Sequence, residues 1–146
     1  MDDWEHRHAL AQRAAHAMWS RDHAARHLGI AISSIAPGEA ALTMTVTTTM
    51  LNGHDICHGG YIFTLADTAF AYACNSAGET TVAMQAEVHF LKPGRLGDIL
   101  TATAKHRAGE GRSGVYDVMV ERDGDVLAVF RGLSRRIGGS FLGEGA

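Results

Sequence analysis

Gly59-Gly60-Tyr61-Ile62-Phe63-Thr64-Leu65-Ala66-Asp67-Thr68-Ala69-Phe70-Ala71-Tyr72-Ala73-Cys74-Asn75-Ser76-Ala77-Gly78 is the stretch on which the fold turns. It reads as a helix: Ala, Leu, Phe and Tyr dominate, no Pro interrupts, and Gly78 supplies a C-terminal stop. The helix is apolar nearly all round, so it belongs inside the protein rather than on its surface. A membrane span is the other home for such a helix. Thr64, Asp67, Thr68, Asn75 and Ser76 interrupt the apolar run, and no basic anchors flank it, so a span is not expected.

Outward in both directions the periodicity changes to that of strands. Downstream, Thr80–Leu91 ends at Lys92-Pro93-Gly94 and Asp98–Ala108 ends at Gly109-Glu110-Gly111. Val115–Arg122 is joined through the hairpin turn Asp123-Gly124 to a last strand, Asp125 to about Arg136. Upstream, Ile30–Ile35 and Glu39–Met50 are two strands divided by Ala36-Pro37-Gly38. In the second, Leu42, Met44 and Val46 alternate with Thr43, Thr45 and Thr47, the pattern of a half-buried strand. Before them, Asp3 to His27 reads as one helix stopped by Gly29.

Strands joined by short turns form an antiparallel sheet with one face to bury. The expected fold is therefore α+β: an antiparallel sheet wrapped around the long central helix, with residues 1–28 as an N-terminal helical extension. One domain over residues 1–146 accommodates the whole chain, since no linker or internal repeat divides it. A single short sheet cannot cover an apolar helix on all sides, so a second copy is expected to complete the enclosure.

Composition excludes several functions. With 46% hydrophobic and 20% charged residues and a net charge of -3, the chain is neither disordered nor equipped with the basic face that nucleic acids require. Cys57 and Cys74 have no metal spacing and no CxxC pairing, and the N-terminus is too charged for a secretory signal. A reducing cytoplasm is the expected compartment. His6, His8, His16, His23 and His27 crowd the first helix, but only His23 and His27 stand at i, i+4 and no carboxylate completes a set. The expectation is a solvated docking helix and no metal.

Asp67 is the only formally charged residue between His58 and Gly78, and no Lys or Arg stands at i±3 or i±4 to pair with it. A carboxylate on an apolar helix is costly, and desolvation that raises its pKa suits a base or nucleophile. His58-Gly59-Gly60 begins the same helix. Free N–H groups at a helix start, beside glycines that let a carbonyl approach closely, fit a developing oxyanion. Gly60 and Asp67 are separated by roughly 10 Å of helix at 1.5 Å per residue. One reacting carbonyl carbon cannot touch both within a chain, so the acid and the N–H are expected from different subunits, with sites at the dimer interface. Cys57 beside His58 makes a poor thiol–imidazole pair, and Ser134 and Ser140 lack a nucleophile elbow.

At these residues the chain resembles the hot-dog-fold thioesterases, closely those of bacterial phenylacetate catabolism. The resemblance rests on Asn52-Gly53-His54, Cys57-His58-Gly59-Gly60, Leu65 through Ser76, and Phe90-Leu91-Lys92-Pro93-Gly94. Gly114-Val115-Tyr116-Asp117, Phe130-Arg131-Gly132 and Arg136-Ile137-Gly138-Gly139 extend it over most of the chain after about residue 15. It implies hydrolysis of aryl- or arylacetyl-CoA thioesters, of the phenylacetyl-CoA or hydroxyphenylacetyl-CoA type. Asp67 would activate water or attack the carbonyl itself, the N–H of Gly59 or Gly60 behind His58 would polarise the thioester, and Asn52 would position water or substrate. Relatives often carry a small hydroxyl side chain near the positions of Ala83 and Met84, which is absent here.

Phe63 and Thr68 are candidate substrate contacts beside Asp67, with Tyr61, Phe70 and Tyr72 as further aromatic candidates. Lys92, Arg95 and Arg131, with Arg135 and Arg136, are candidates for the coenzyme A phosphates. Coenzyme A enters as part of the substrate, no separate cofactor is expected, and tetramers built from two dimers are implied. Two rival functions share the fold: a non-catalytic acyl-CoA-binding module, and a hydratase or dehydratase. The first lacks an output domain here, and the second needs a His–acid pair in surroundings that His58 does not have.

Overall fold

The computed structural model describes residues 2–142. Helices α1 (Asp3–Trp19) and α2 (His23–His27) lead into strands β1 (Ala31–Ala36) and β2 (Glu39–Thr45). A single 3-10 turn, Thr48–Met50, precedes helix α3 (Gly59–Cys74). Strands β3 (Glu79–Phe90), β4 (Ile99–Ala108), β5 (Ser113–Arg122) and β6 (Asp125–Ser140) complete the chain. The strands form one antiparallel sheet in the order β1-β2-β4-β5-β6-β3, which leaves β1 and β3 as its edges.

One face of the sheet packs on α3. Leu42, Met44, Leu100, Ala102, Val118, Val120 and Phe130 are buried against Ile62, Leu65, Ala66, Ala69 and Phe70 of the helix. The strand residues in between, such as Thr43, Thr101, Thr103 and Asp117, lie on the other face, as the two-residue period requires. Gly132 is the tightest contact of the core: a Cβ there would lie 2.7 Å from the Phe70 ring. Phe70 in turn packs obliquely on Tyr116 and Phe130, with ring centroids 5.6 and 5.8 Å away.

The expected helix from Asp3 to His27 is in fact two. The α1 helix ends at Trp19, and Asp22 starts α2 by accepting the Ala25 N–H at 3.2 Å. The second carboxylate oxygen of Asp22 accepts the Tyr72 hydroxyl, also at 3.2 Å, so the break ties the N-terminal segment to α3. The second strand stops at Thr45 rather than Met50, because the chain turns away to brace the start of α3. There the Met50 carbonyl accepts the His58 N–H at 2.8 Å. The central helix ends at Cys74, four residues short of Gly78. The Asn75 side chain, itself buried, accepts the Thr81 N–H and donates to the carbonyls of Thr81 and Ala71, which turns the chain directly into β3. The last strand runs on to Ser140 through Gly138 and Gly139, still paired with β3.

The helix is also less enclosed than its composition suggests. Tyr61, Phe63, Thr64, Asp67, Thr68 and Ala71 form a half-exposed stripe along one side of α3. Among the described residues no helix is long and apolar enough to cross a membrane.

Candidate active site

The start of α3 is held from three directions. Met50 receives the His58 N–H, the Gly94 carbonyl receives the Cys57 N–H at 2.8 Å, and Leu51 and Cys57 form an isolated antiparallel bridge. Between them residues 52–56 form a tight loop in which the Asn52 N–H donates to the Ile56 carbonyl at 2.8 Å. The Asn52 side-chain oxygen accepts the N–H groups of His54 and Ile56 at 2.9 and 3.4 Å. Its amide NH2 has no partner among the described residues and remains available as a donor.

His58 is the N-cap, and its Nδ1 accepts the Gly60 N–H at 3.0 Å. A ring nitrogen that accepts carries no proton, so in the neutral ring the hydrogen is on Nε2. Tyr61 bonds back to the His58 carbonyl at 3.0 Å. The Gly59 N–H, the first amide of α3, donates to nothing among the described residues. The two glycines of the motif therefore differ: Gly60 is occupied by the cap, and Gly59 offers the orphan donor at the positive end of the helix. The Phe90 ring covers Gly59 so closely that a Cβ would meet it at 2.9 Å. Phe90 stands in a motif that carries the resemblance, but the sequence shows no role for it there, because the contact joins a strand end to a helix start.

Asp67 lies two turns along α3 on the half-exposed stripe. It has no ion pair and no side-chain hydrogen bond among the described residues, and burial pushes its carboxyl above the ordinary aspartate range. Thr64 donates its hydroxyl to the Gly60 carbonyl at 2.9 Å, and Thr68 donates to Thr64 at 2.6 Å. Both hydroxyl protons are thus spent on the helix, leaving Thr68 only acceptor capacity toward a substrate. Phe63 meets Phe130 edge-on, with centroids 5.4 Å apart, and forms an aromatic wall beside Asp67. Phe70 and Tyr72 are fully buried core residues rather than pocket linings.

The cationic candidates separate. Lys92 and Arg95 lie on the 91–98 loop that braces Cys57, near the helix start. Lys92 pairs with Asp125 at 3.2 Å, whereas Arg95 donates its backbone N–H to Asp98 at 2.7 Å and its guanidinium has no ion pair among the described residues. Arg131 projects from the face of the sheet opposite α3 and grips Asp117 through two bonds of 2.6 and 2.9 Å. That grip holds the Asp117 carboxyl below its ordinary range. The structure does not bring Arg131 together with Gly59 or Asp67. Cys57 is buried, and both desolvation and the nearby Asp98 carboxylate push its thiol up, away from the thiolate a nucleophile requires. Among the described residues no three His, Cys, Asp or Glu gather into a metal-binding group.

An unpaired, partly desolvated carboxylate and an unbonded glycine amide at a helix start are groups suited to acyl transfer, and comparison with known proteins places the chain in a family. Residues 54–129 match the family model of the thioesterase superfamily. The chain is 53% identical to the acyl-coenzyme A thioesterase PaaI of Escherichia coli over 92% of its own length and 96% of that protein. The solved structure of that PaaI protein, from the phenylacetic acid degradation operon, superimposes with a TM-score of 0.90 at 51% identity, covering 91% of this chain and 97% of the other. A Streptococcus mutans protein solved with acetyl-CoA bound superimposes with a TM-score of 0.73 at 28% identity, covering 76% of this chain and 90% of its own. Sheet order, central helix and sequence together make this chain a hot-dog-fold enzyme of the thioesterase superfamily.

Proposed function

We propose that the protein hydrolyses acyl-coenzyme A thioesters of the aryl or arylacetyl type, such as phenylacetyl-CoA or hydroxyphenylacetyl-CoA, at sites shared between two subunits. The observation that carries this reading is the unpaired Asp67 carboxylate on the open stripe of α3, with the unbonded Gly59 N–H at the head of the same helix. Eight residues separate them, roughly 12 Å of helix at 1.5 Å per residue, against the ~3 Å that reacting groups require. An antiparallel α3 from a second copy brings a partner Asp67 beside each Gly59. The edge strand β3 supports the pairing: it is 12 residues long, unpaired on its outer side, and leaves Val82, Met84 and Phe90 exposed. A tetramer is then two such dimers.

In this arrangement the thioester carbonyl lies against Gly59, and the partner subunit's Asp67 accepts a proton from the attacking water. The water oxygen bonds the carbonyl carbon, and the oxyanion that forms gains the Gly59 hydrogen bond and the helix dipole. Collapse breaks the carbon–sulfur bond, the coenzyme A thiolate takes up the proton, and the free acid leaves. Asn52, through its unused amide, orients the water or the carbonyl, and His58 keeps the Gly60 amide and the helix start in place. The edge-on Phe63–Phe130 pair favours a flat acyl group. Similarity to PaaI supports the arylacetyl choice. Coenzyme A enters with the substrate and no separate cofactor is needed. The buried thiols of Cys57 and Cys74 are unpaired, which supports a reducing, cytoplasmic setting.

The test is release of coenzyme A from phenylacetyl-CoA, followed with a thiol reagent across a panel of aryl and aliphatic esters. Asp67→Asn should lower kcat by about 10²- to 10⁴-fold. Turnover undiminished by that substitution refutes the role, and tight binding without turnover in the unaltered protein identifies a binding module instead.

A further inference from the structure

A cavity opens at the other end of α3, remote from Gly59. It has a volume of about 400 Å3 and lies between α1, the β1–β2 turn and the β4–β5 loop, with the start of β3 and the end of α3 beneath. Its lining carries three guanidinium groups, of Arg7, Arg112 and Arg136, against one carboxylate, Glu110. This is unusual company in a chain of net charge -3. Arg7 is paired with Asp3 at 3.0 Å and Arg136 more loosely with Glu79 at 3.6 Å, while Arg112 has no carboxylate partner among the described residues. The Arg112 carbonyl accepts the Arg136 N–H at 2.8 Å, which fixes the two backbones together.

Tyr116 is the second, independent observation. It is only 9% exposed, it lines this cavity, and its hydroxyl bonds nothing among the described residues. Burial pushes the phenol up to about 12, so it keeps its proton and offers a donor at any physiological pH. The hydroxyl itself is accessible from the cavity and has no protein partner, so a bound acceptor would take the place of solvent there. The space before it is kept open by Gly114, where a Cβ would meet the Tyr116 ring at 3.1 Å and the Ser134 hydroxyl at 3.2 Å. The neighbouring polar groups are spoken for. Ser134 donates to the Gly114 carbonyl at 3.2 Å, and His106 donates from Nε2 to the Gly109 carbonyl at 2.8 Å with its ring edge-on to Tyr116. What remains is the unpaired guanidinium of Arg112, the loosely paired one of Arg136 and the Tyr116 hydroxyl, with Glu110 the one carboxylate of the lining.

We propose that this cavity binds a small oxyanion, a phosphate or carboxylate group, through the guanidinium groups of Arg112 and Arg136 and the hydroxyl of Tyr116. Such groups offer several acceptor oxygens to converging donors, and planar guanidinium forks match them bidentately. The pocket uses neither Asp67 nor Gly59, so it stands whether or not the hydrolytic reading holds.

Thermal unfolding and calorimetric titration of the full chain with inorganic phosphate, against sodium chloride at matched ionic strength, test it. Phosphate should raise Tm beyond the chloride control and bind saturably. Tyr116→Phe keeps the ring packing and should weaken that binding about ten-fold, and Arg112→Gln combined with Arg136→Gln should abolish it. A phosphate response no greater than that of chloride, or one unchanged in both variants, overturns the proposal. Excess coenzyme A separates the two sources of the group. Phosphate binding that persists marks a site for a free small anion, and phosphate displaced from the unaltered protein by coenzyme A marks a site for the phosphates of a bound thioester.

Discussion

Mixing two inactive variants gives the sharpest test of the shared site. Asp67→Asn removes the proposed base and leaves Gly59 untouched. Gly59→Ala leaves Asp67 untouched but adds a methyl 2.9 Å from the Phe90 ring, where the thioester must approach. Phe90 is 53% exposed, so its ring can swing outward and the fold survives the substitution. Each homodimer should retain on the order of 1% of activity or less, from loss of a general base or a blocked oxyanion donor. In a heterodimer one site combines an intact Gly59 with an intact Asp67, while the other collects both defects. Random reassortment of equal amounts makes about half of the dimers mixed, each with one working site of two, so activity should return to about a quarter of the unaltered enzyme by two-fold symmetry. The assay is coenzyme A release after co-refolding, or after co-expression with different affinity tags, at constant total protein. Recovery absent despite proven heterodimers would place both groups in one chain, against the roughly 12 Å of helix between them, and would refute the interface site.

Other outcomes follow from single contacts. Desolvation favours the uncharged form of Asp67, so the folded pKa lies above the unfolded one, and stability falls as pH rises from the unfolded value to the folded one, with the full loss present above both. Asp67→Asn should therefore raise Tm at neutral pH while turnover falls, with the gain vanishing below the ordinary carboxylate range; a lower Tm at neutral pH contradicts the desolvation argument. In the active enzyme the rate should rise with pH through an apparent pKa above that of an ordinary aspartate, and Asp67→Asn should flatten that limb of the profile. Gly132→Ala forces a methyl to within 2.7 Å of the buried Phe70 ring and should cost about 1–3 kcal/mol in urea unfolding. Asn75→Ala strands the Thr81 N–H and carbonyl and should cost about 2–4 kcal/mol by the same measurement. Arg95→Gln should raise KM for a coenzyme A ester several-fold, whereas Arg131→Gln, on the far face of the sheet and bound to Asp117, should leave KM nearly unchanged.

The architecture was legible because periodicity and turn residues act locally. Alternation in Leu42, Met44 and Val46 located β2, and the continuous apolar run from Gly59 located α3. The misplaced boundaries share one cause. The break at Ser20, the end of β2 at Thr45 and the end of α3 at Cys74 are each set by a side chain or carbonyl that bonds a neighbouring element, from Asp22 to Tyr72, Met50 to His58 and Asn75 to Thr81. Asp67 stood out as a lone charge in an apolar helix. The distinction between Gly59 and Gly60 did not, because it depends on where the His58 ring turns, and no pattern of residue types records that. The burial of Phe70 and Tyr72, against the half-exposure of Phe63, likewise depends on which side of α3 the sheet covers.

That uncovered side of α3 joins the stability of the protein to its proposed chemistry. A helix with Ile62, Leu65, Ala66, Ala69 and Phe70 on one flank has enough apolar surface to seat the sheet, and it does so with small residues that let the strands come close. The opposite flank carries Thr64, Asp67 and Thr68, whose hydroxyls are turned back onto the helix so that only the carboxylate is left to react. A protomer alone leaves this flank facing solvent, where water screens the carboxylate and dilutes the pull of the helix dipole. In the proposed dimer, apposition of a second α3 would remove water from both groups together, which would strengthen each interaction and bring acid and amide within reach. Association and catalysis are then two consequences of one buried surface, and a variant that weakens the β3 edge should lose activity in step with its loss of dimer.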